Sequence, residues 1–215
     1  MPEVDRREVF RYLGLRGAEP DAATERTVEE VIAALDGVVE PRQVSRRFLL
    51  KWLGPCEMEI EGLRIGSRAL AGNLAGCGEV FIMAATLGLG PDRLIARAQA
   101  AGAMSRALAL QAAAAAMIEA WCDEVNGDLK RQAAMRGQYC RPRFSPGYGD
   151  LPLETQTGIF HLLGVQKNIG VTLTDSLLML PTKSVTALIG LSDSEAAPRP
   201  AGCAACGKAD GAFRK

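Results

Sequence analysis

The chain has 215 residues, of which 48 % are hydrophobic, and its 25 Lys and Arg residues balance 25 Asp and Glu. That suffices for a full core in one or two domains, and the balanced charge leaves no net field to attract nucleic acid or an anionic membrane. No apolar run reaches the roughly 18 residues of a membrane span, and the charged start Met1–Arg7 has no apolar signal segment behind it, so a cytoplasmic protein is expected.

In chain order, Asp5 to Leu15 places Val9, Tyr12 and Leu13 at helical spacing before Gly17. Ala22 to Leu35 repeats the pattern with Val28, Val31, Ile32 and Leu35 and stops at Gly37. Val44 to Leu53, between Pro41 and Gly54-Pro55, reads as a strand, and Glu57 to Glu61 alternates acidic and apolar residues as a half-buried strand does. Ser67 to Leu74 predicts a short helix, and Val80 to Thr86 a buried strand running into Leu87-Gly88-Leu89-Gly90. From Pro91 to about Met135 two helices meet near Gly102. In the second, Met117, Trp121, Val125 and Leu129 form a core stripe, with Glu119 and Asp123 on the other side. A helix over Leu153–Leu163 and strands over Val171–Thr174 and Ser184–Leu191 follow, and the tail from Ser192 is small, polar and rich in Pro and Gly, a loosely ordered composition. Strands and helices mix without regular alternation, which predicts an α+β fold: a mostly antiparallel twisted sheet with flanking helices.

Ligand-type groups concentrate in Arg143-Phe144-Ser145-Pro146-Gly147-Tyr148. A guanidinium pairs with a carboxylate through two hydrogen bonds; Gly147 permits close backbone approach, and Tyr148 offers a ring to stack on or to face a cation. The composition suits a zwitterion carrying a flat ring, and equally an ordinary surface turn. Glu119 and Asp123 read as a solvated helix face or as acidic groups facing a bound cation. Cys203-Ala204-Ala205-Cys206 has the spacing of half a zinc knuckle, but there is no second such pair and the single histidine, His161, sits among apolar neighbours as a partly buried helix residue. The other cysteines, Cys56, Cys77, Cys122 and Cys140, fall in core-like segments and read as free thiols of a reducing compartment. Neither a catalytic residue nor a metal ligand set is expected. Walker, nucleophile-elbow and HExxH patterns are absent, and Gly88-Leu89-Gly90 is a weak dinucleotide signal.

Two blocks together resemble the activation (reactivation) domain of vitamin B12-dependent methionine synthase, in its free-standing form. The first is the Arg143–Tyr148 loop with Gly158-Ile159-Phe160-His161-Leu162-Leu163 after it, similar to the family's Arg-x-x-Pro-Gly-Tyr loop and amphipathic helix. The second runs from Gly170-Val171-Thr172-Leu173-Thr174-Asp175-Ser176 through Met179 and Pro181 to Ser184-Val185-Thr186. Upstream, Glu119 to Asp123 resembles the helix that supplies an acidic ligand contact. Gly137 and Gln138 stand where the family has a second carboxylate, and Ala196, Ala197 and Pro198 where it has an aromatic contact.

The resemblance implies one activation-like domain over 1–192, with an α/β portion to 90 and a ligand-binding portion over 91–192, and a cysteine-containing tail over 193–215. It implies S-adenosylmethionine as ligand, with Arg143 on the methionyl carboxylate, the backbone at Ser145 and Gly147 near the adenine end, Tyr148 lining the pocket, and Glu119 near the ammonium or sulfonium. It further implies support, in trans, of reductive remethylation of cob(II)alamin held by a methionine synthase or related corrinoid protein, with a flavodoxin-type electron donor. Such a chain is a component of a methyltransferase system that positions rather than catalyses. Two other readings stay open: a module that recognises a corrinoid protein without binding S-adenosylmethionine, and a small redox or metal protein built on Cys203 and Cys206.

Overall fold

The computed structural model describes residues 4–15 and 19–195. In chain order its elements are α1 (Arg6–Tyr12), α2 (Ala22–Asp36), β1 (Arg42–Leu49), β2 (Lys51–Trp52), β3 (Glu57–Ile60), β4 (Leu63–Gly66), α3 (Arg68–Asn73), β5 (Glu79–Thr86), α4 (Gly90–Ala100), α5 (Met104–Ala134), β6 (Tyr139–Cys140), α6 (Thr155–Leu163), α7 (Val165–Ile169), β7 (Thr172–Leu173), β8 (Met179–Leu180) and β9 (Ser184–Ser192). The α+β architecture is the one expected. Two compact units are interleaved in sequence: one takes the chain up to Gln43, Ala85–Asn126 and Gln166–Val185, the other Val44–Ala84, Gly127–Val165 and the chain from Thr186.

In the first unit Asp5 and Asp21 cap α1 and α2, their carboxylates accepting from Arg7 N–H (2.8 Å) and Thr24 N–H (2.7 Å). Val28, Val31 and Leu35 of α2 are buried, as are Ile95 of α4 and Met117 of α5. Alanines fill much of the inner face of α5, and residues 112–114 and 116 are all buried. α4 approaches the loop after α2 so closely that a Cβ on Gly90 would lie 2.0 Å from the Val38 carbonyl oxygen. β7 and β8 form a small antiparallel ribbon, Thr172 opposite Leu180 and Leu173 opposite Met179. The β8–β9 corner is tied down by Asp92, whose carboxylate accepts from Thr182 N–H (2.8 Å) and Oγ1 (2.5 Å).

In the second unit a four-stranded sheet runs in the order β1-β5-β9-β6. β5 and β9 are central and almost wholly buried, so they read as continuous apolar runs. The expected single strand over Val44–Leu53 is broken at Leu50, whose N–H donates to the Gly78 carbonyl (2.9 Å). Beyond that point β2 leaves for a second sheet, β2-β3-β4, with Lys51 opposite Glu59 and Trp52 opposite Met58. β4 was not expected from the sequence. It pairs with β3 across a two-residue turn in which Glu61 (φ 47°) and Gly62 (φ 83°) both take left-handed backbone, the conformation that matches strand twist in a tight hairpin. α6 lies against β4 through Gly158, where a Cβ would meet Leu63 Cδ1 at 2.4 Å.

Gly90→Ala adds a carbon against backbone that cannot rotate away, so it is expected to cost about 3 kcal/mol in urea unfolding despite alanine's better helix propensity. Gly78→Ala, whose added carbon meets nothing within 4 Å, is the control and should leave the midpoint almost unmoved.

Candidate functional site

The loop that carries Arg143 hangs from the edge of the four-stranded sheet. Tyr139 and Cys140 pair with Ser192 and Leu191 of β9, and further along Phe144 pairs with Leu188. Between those pairs three residues, Arg141 to Arg143, face two, Ile189 and Gly190, so the edge carries a one-residue bulge. Pro142, which has no N–H to donate, sits in it, while Arg141 N–H reaches the Gly190 carbonyl (2.8 Å). The Arg141 side chain crosses β9 at the same place: a Cβ on Gly190 would strike Cys77 Sγ at 2.7 Å and Arg141 Cγ at 3.1 Å. Phe144 then closes the pairing in both directions, Phe144 N–H to Leu188 O (2.9 Å) and Leu188 N–H to Phe144 O (2.8 Å). Arg143 is therefore the last residue before a fixed backbone pair, and its side chain is half-buried.

Beyond Phe144 the chain turns on Pro146, which is buried, and Gly147, whose φ is 88°. Three backbone bonds hold the turn: Gly147 N–H to Leu151 O (2.9 Å), Tyr148 N–H to Ser145 O (3.2 Å) and Leu151 N–H to Tyr148 O (3.0 Å). Ser145 is half-buried, and Tyr148 stands 62 % exposed.

Asp150 fixes the far side of this loop. Its carboxylate accepts from Ser67 Oγ (2.5 Å), Arg68 N–H (2.9 Å) and Ala69 N–H (3.0 Å), so a residue in the loop caps α3. Ser67, the local N-cap, accepts in turn from Leu70 N–H (3.0 Å). These donors, Ser67 first, hold the Asp150 carboxyl down at about 2. Gly149 (φ 57°) makes the approach possible, since a Cβ there would come 2.8 Å from the Ala69 Cβ. Asp150 carried no role in the sequence: its partners lie over 80 positions earlier, and only the fold brings them together.

Thus Arg143, Ser145, Gly147 and Tyr148 belong to one braced loop of the second unit. Glu119 lies in the first unit, on the exposed face of α5, as does Asp123. The Tyr12 phenol of α1 feels its charge: burial pushes the Tyr12 pKa up, and the Glu119 carboxylate pushes it further. His161 is exposed rather than partly buried, because α6 turns Ile159 and Leu163 inward and leaves it on the outer face. Of the four described cysteines, Cys77 and Cys122 are buried and Cys56 and Cys140 half-buried. Among the described residues no group of three His, Cys, Asp or Glu could hold a metal ion, and no helix is long and apolar enough to cross a membrane. Cys203 and Cys206 lie outside the described residues.

The α+β frame is also that of the MetH reactivation domain bound to AdoHcy. That crystal structure matches with a TM-score of 0.66 at 20 % identity, over 91 % of this chain and 76 % of the other. The family model for the activation domain of vitamin B12 dependent methionine synthase matches residues 82–197, more than half of the chain, and the chain belongs to that family. No curated protein sequence matches it closely enough to serve as a relative.

The Asp150 anchor has a defined acid limit. Its folded value is depressed from 3.8, so its contribution is complete above about pH 4 and is lost as pH falls through about 2. Amide resonances of Arg68 and Ala69 followed by NMR should move in that window. Asp150→Asn should abolish the step and cost about 1 kcal/mol, as loss of a helix cap does.

Proposed function

We propose that the chain binds S-adenosylmethionine and supports the reductive remethylation of cob(II)alamin in a cobalamin-dependent methionine synthase or related corrinoid protein, acting in trans. The observation that carries this is the braced loop inside the family-matched stretch, with a half-buried guanidinium, a left-handed glycine and an exposed ring on consecutive turns. Those groups fit the ligand's chemistry. Arg143 would pair with the carboxylate through its planar fork. The backbone at Ser145 and Gly147, where no side chain projects at position 147, would take the adenine end, and Tyr148 would cover the ring. Glu119 would offer negative charge to the ammonium or sulfonium. When bound, the ligand supplies a methyl group on a sulfonium. The chain's own task is to hold that group in orientation, which calls for rigidity and not for a general acid or base. The corrinoid stays with the partner, and a flavodoxin-type donor supplies the electron. We place ligand binding in the portion over 91–192.

One observation favours the rival in which the chain recognises a corrinoid protein without this ligand. Gln138, where the family has a carboxylate, commits its amide nitrogen to Glu79 Oε2 (3.1 Å) and Asp193 Oδ1 (3.2 Å). One polar position of the family's site is here a brace within the fold.

Calorimetry separates the two. The wild-type chain should bind S-adenosylmethionine, and Arg143→Ala should weaken that by about 2 kcal/mol or more through loss of a charge-assisted pair. Arg143→Lys should restore only part of it, since an ammonium cannot make the two-pronged contact. Equal binding by all three would remove Arg143 from the site, and no heat with the wild type would leave the rival.

A further inference from the structure

The stretch from Arg141 to Asp150 is fastened to both ends of α3, and all of these residues belong to the second unit. Asp150 takes the N-terminal end through the three bonds described above. Arg141 takes the other end. Its Nη2 donates to the Ala75 carbonyl (3.2 Å), two residues past α3, and to Ser192 Oγ of β9 (3.3 Å). The carboxylate therefore meets the free N–H groups of the helix and the guanidinium its carbonyl end, the favourable sense for each charge. Gly190 makes room for the crossing. A Cβ there would stand 3.1 Å from Arg141 Cγ and 2.7 Å from both Leu74 Cδ2 and Cys77 Sγ.

Phe144 divides this stretch in two. Its pairing with Leu188 in both directions fixes the backbone between the two fastenings. On one side lie Arg141, Pro142 and Arg143; on the other lies the turn from Ser145 to Asp150. The first side is a bulge, where the regular ladder is interrupted and Pro142 has no N–H to add. What holds it there is Arg141, through its own N–H to Gly190 O (2.8 Å) and through its guanidinium. Arg143 thus stands between Arg141 and the Phe144 pair, while the turn stands between that pair and Asp150.

We propose that Arg141 is a positioning residue for Arg143: by tying the start of the bulge to α3 and β9, it fixes the backbone from which the Arg143 guanidinium reaches the ligand carboxylate. The inference rests on the assignment of Arg143 to that carboxylate. It adds a second arginine, two residues ahead of the Arg-x-x-Pro-Gly-Tyr pattern and outside it, to the groups that decide which ligand is held.

The test uses the full chain and calorimetry with S-adenosylhomocysteine and its decarboxylated analogue, which keeps the amino group. The wild type should prefer S-adenosylhomocysteine, and Arg141→Ala should cut that preference about tenfold, the ordering cost of one long side chain, with the decarboxylated analogue almost unaffected. Arg141→Lys keeps the charge but not the planar fork, and should lose most of the preference too. Asp150→Asn, on the other side of the Phe144 pair, should weaken both ligands alike and leave the preference intact. In an Arg143→Ala background Arg141→Ala should have almost no further effect, because the two side chains act as one unit. If Arg141→Ala fails to fold, Arg141→Lys and Ser192→Ala, which removes one acceptor, decide the matter by the same ratio. Equal losses for both ligands, full rescue by lysine, or additivity with Arg143→Ala would each overturn the inference and leave the assignment of Arg143 intact. A wild-type chain that binds neither ligand, or both equally, would overturn the reading of the site, and this inference with it.

Discussion

The three hydrogen bonds received by Asp150 are the constraint on which the candidate site depends. A loop with left-handed glycines at 147 and 149 has more backbone freedom to lose on ordering than one with alanine at those positions. Backbone bonds inside the turn are too few to offset this. Asp150 adds two backbone donors and a hydroxyl of α3, and it can reach them only because position 149 has no Cβ to meet Ala69. One glycine allows the approach, one carboxylate holds it, and the residues between Phe144 and Asp150 inherit the rigidity.

The other end of the loop is secured by different physics. Phe144 is paired in both directions with Leu188, in a strand buried along nearly its whole length. Just before it, the bulge at Pro142 takes up one extra residue and alters the course of the edge where Arg143 leaves it. Bulges at sheet edges commonly re-aim a side chain in this way. The backbone that carries Arg143 is thus fixed before any ligand arrives, and pre-organisation of that kind saves part of the ordering cost at binding.

Much of the fold was legible in the chain. Of the two stripes, Val28, Val31, Leu35 and Met117, Val125, Leu129 are buried while Ile32 and Trp121 are only half-buried at their edges, and Gly37 and Gly102 fall where the helices stop. The Arg143–Tyr148 loop stood out through its turn chemistry, and the family through two blocks in fixed order. What stayed hidden depends on contacts distant in sequence. The break at Leu50 is made by Gly78, and the cap of α3 comes from Asp150. β4 has a local cause: Glu61 and Gly62 together make a tight hairpin turn that leads directly into a second strand. His161 is exposed despite its apolar neighbours because flanking residues in a helix point to different sides, so neighbours in sequence do not predict burial.

The two sequence blocks that carry the resemblance do unlike physical work. The first presents groups outward: Tyr148 is exposed and Ser145 and Arg143 are half-buried, while the bonds that hold the loop come from its backbone and from Asp150. The second turns many of its polar groups inward. Thr182 is bound twice by Asp92, Ser184 Oγ donates to Pro181 O (2.8 Å) and shares a hydrogen bond with the Thr86 hydroxyl (2.8 Å), and Lys183 Nζ donates to Gln111 Oε1 (2.7 Å). Burial pulls the Lys183 amine to lower values and Asp92 resists the shift, as expected of a cation serving the fold. Similarity in the second block therefore reports that the β8–β9 corner is built in the family's way, and similarity in the first reports which groups are displayed. A chain could keep the second block and lose the ligand; it could not lose the second block and keep the start of β9, the strand on which the first is hung.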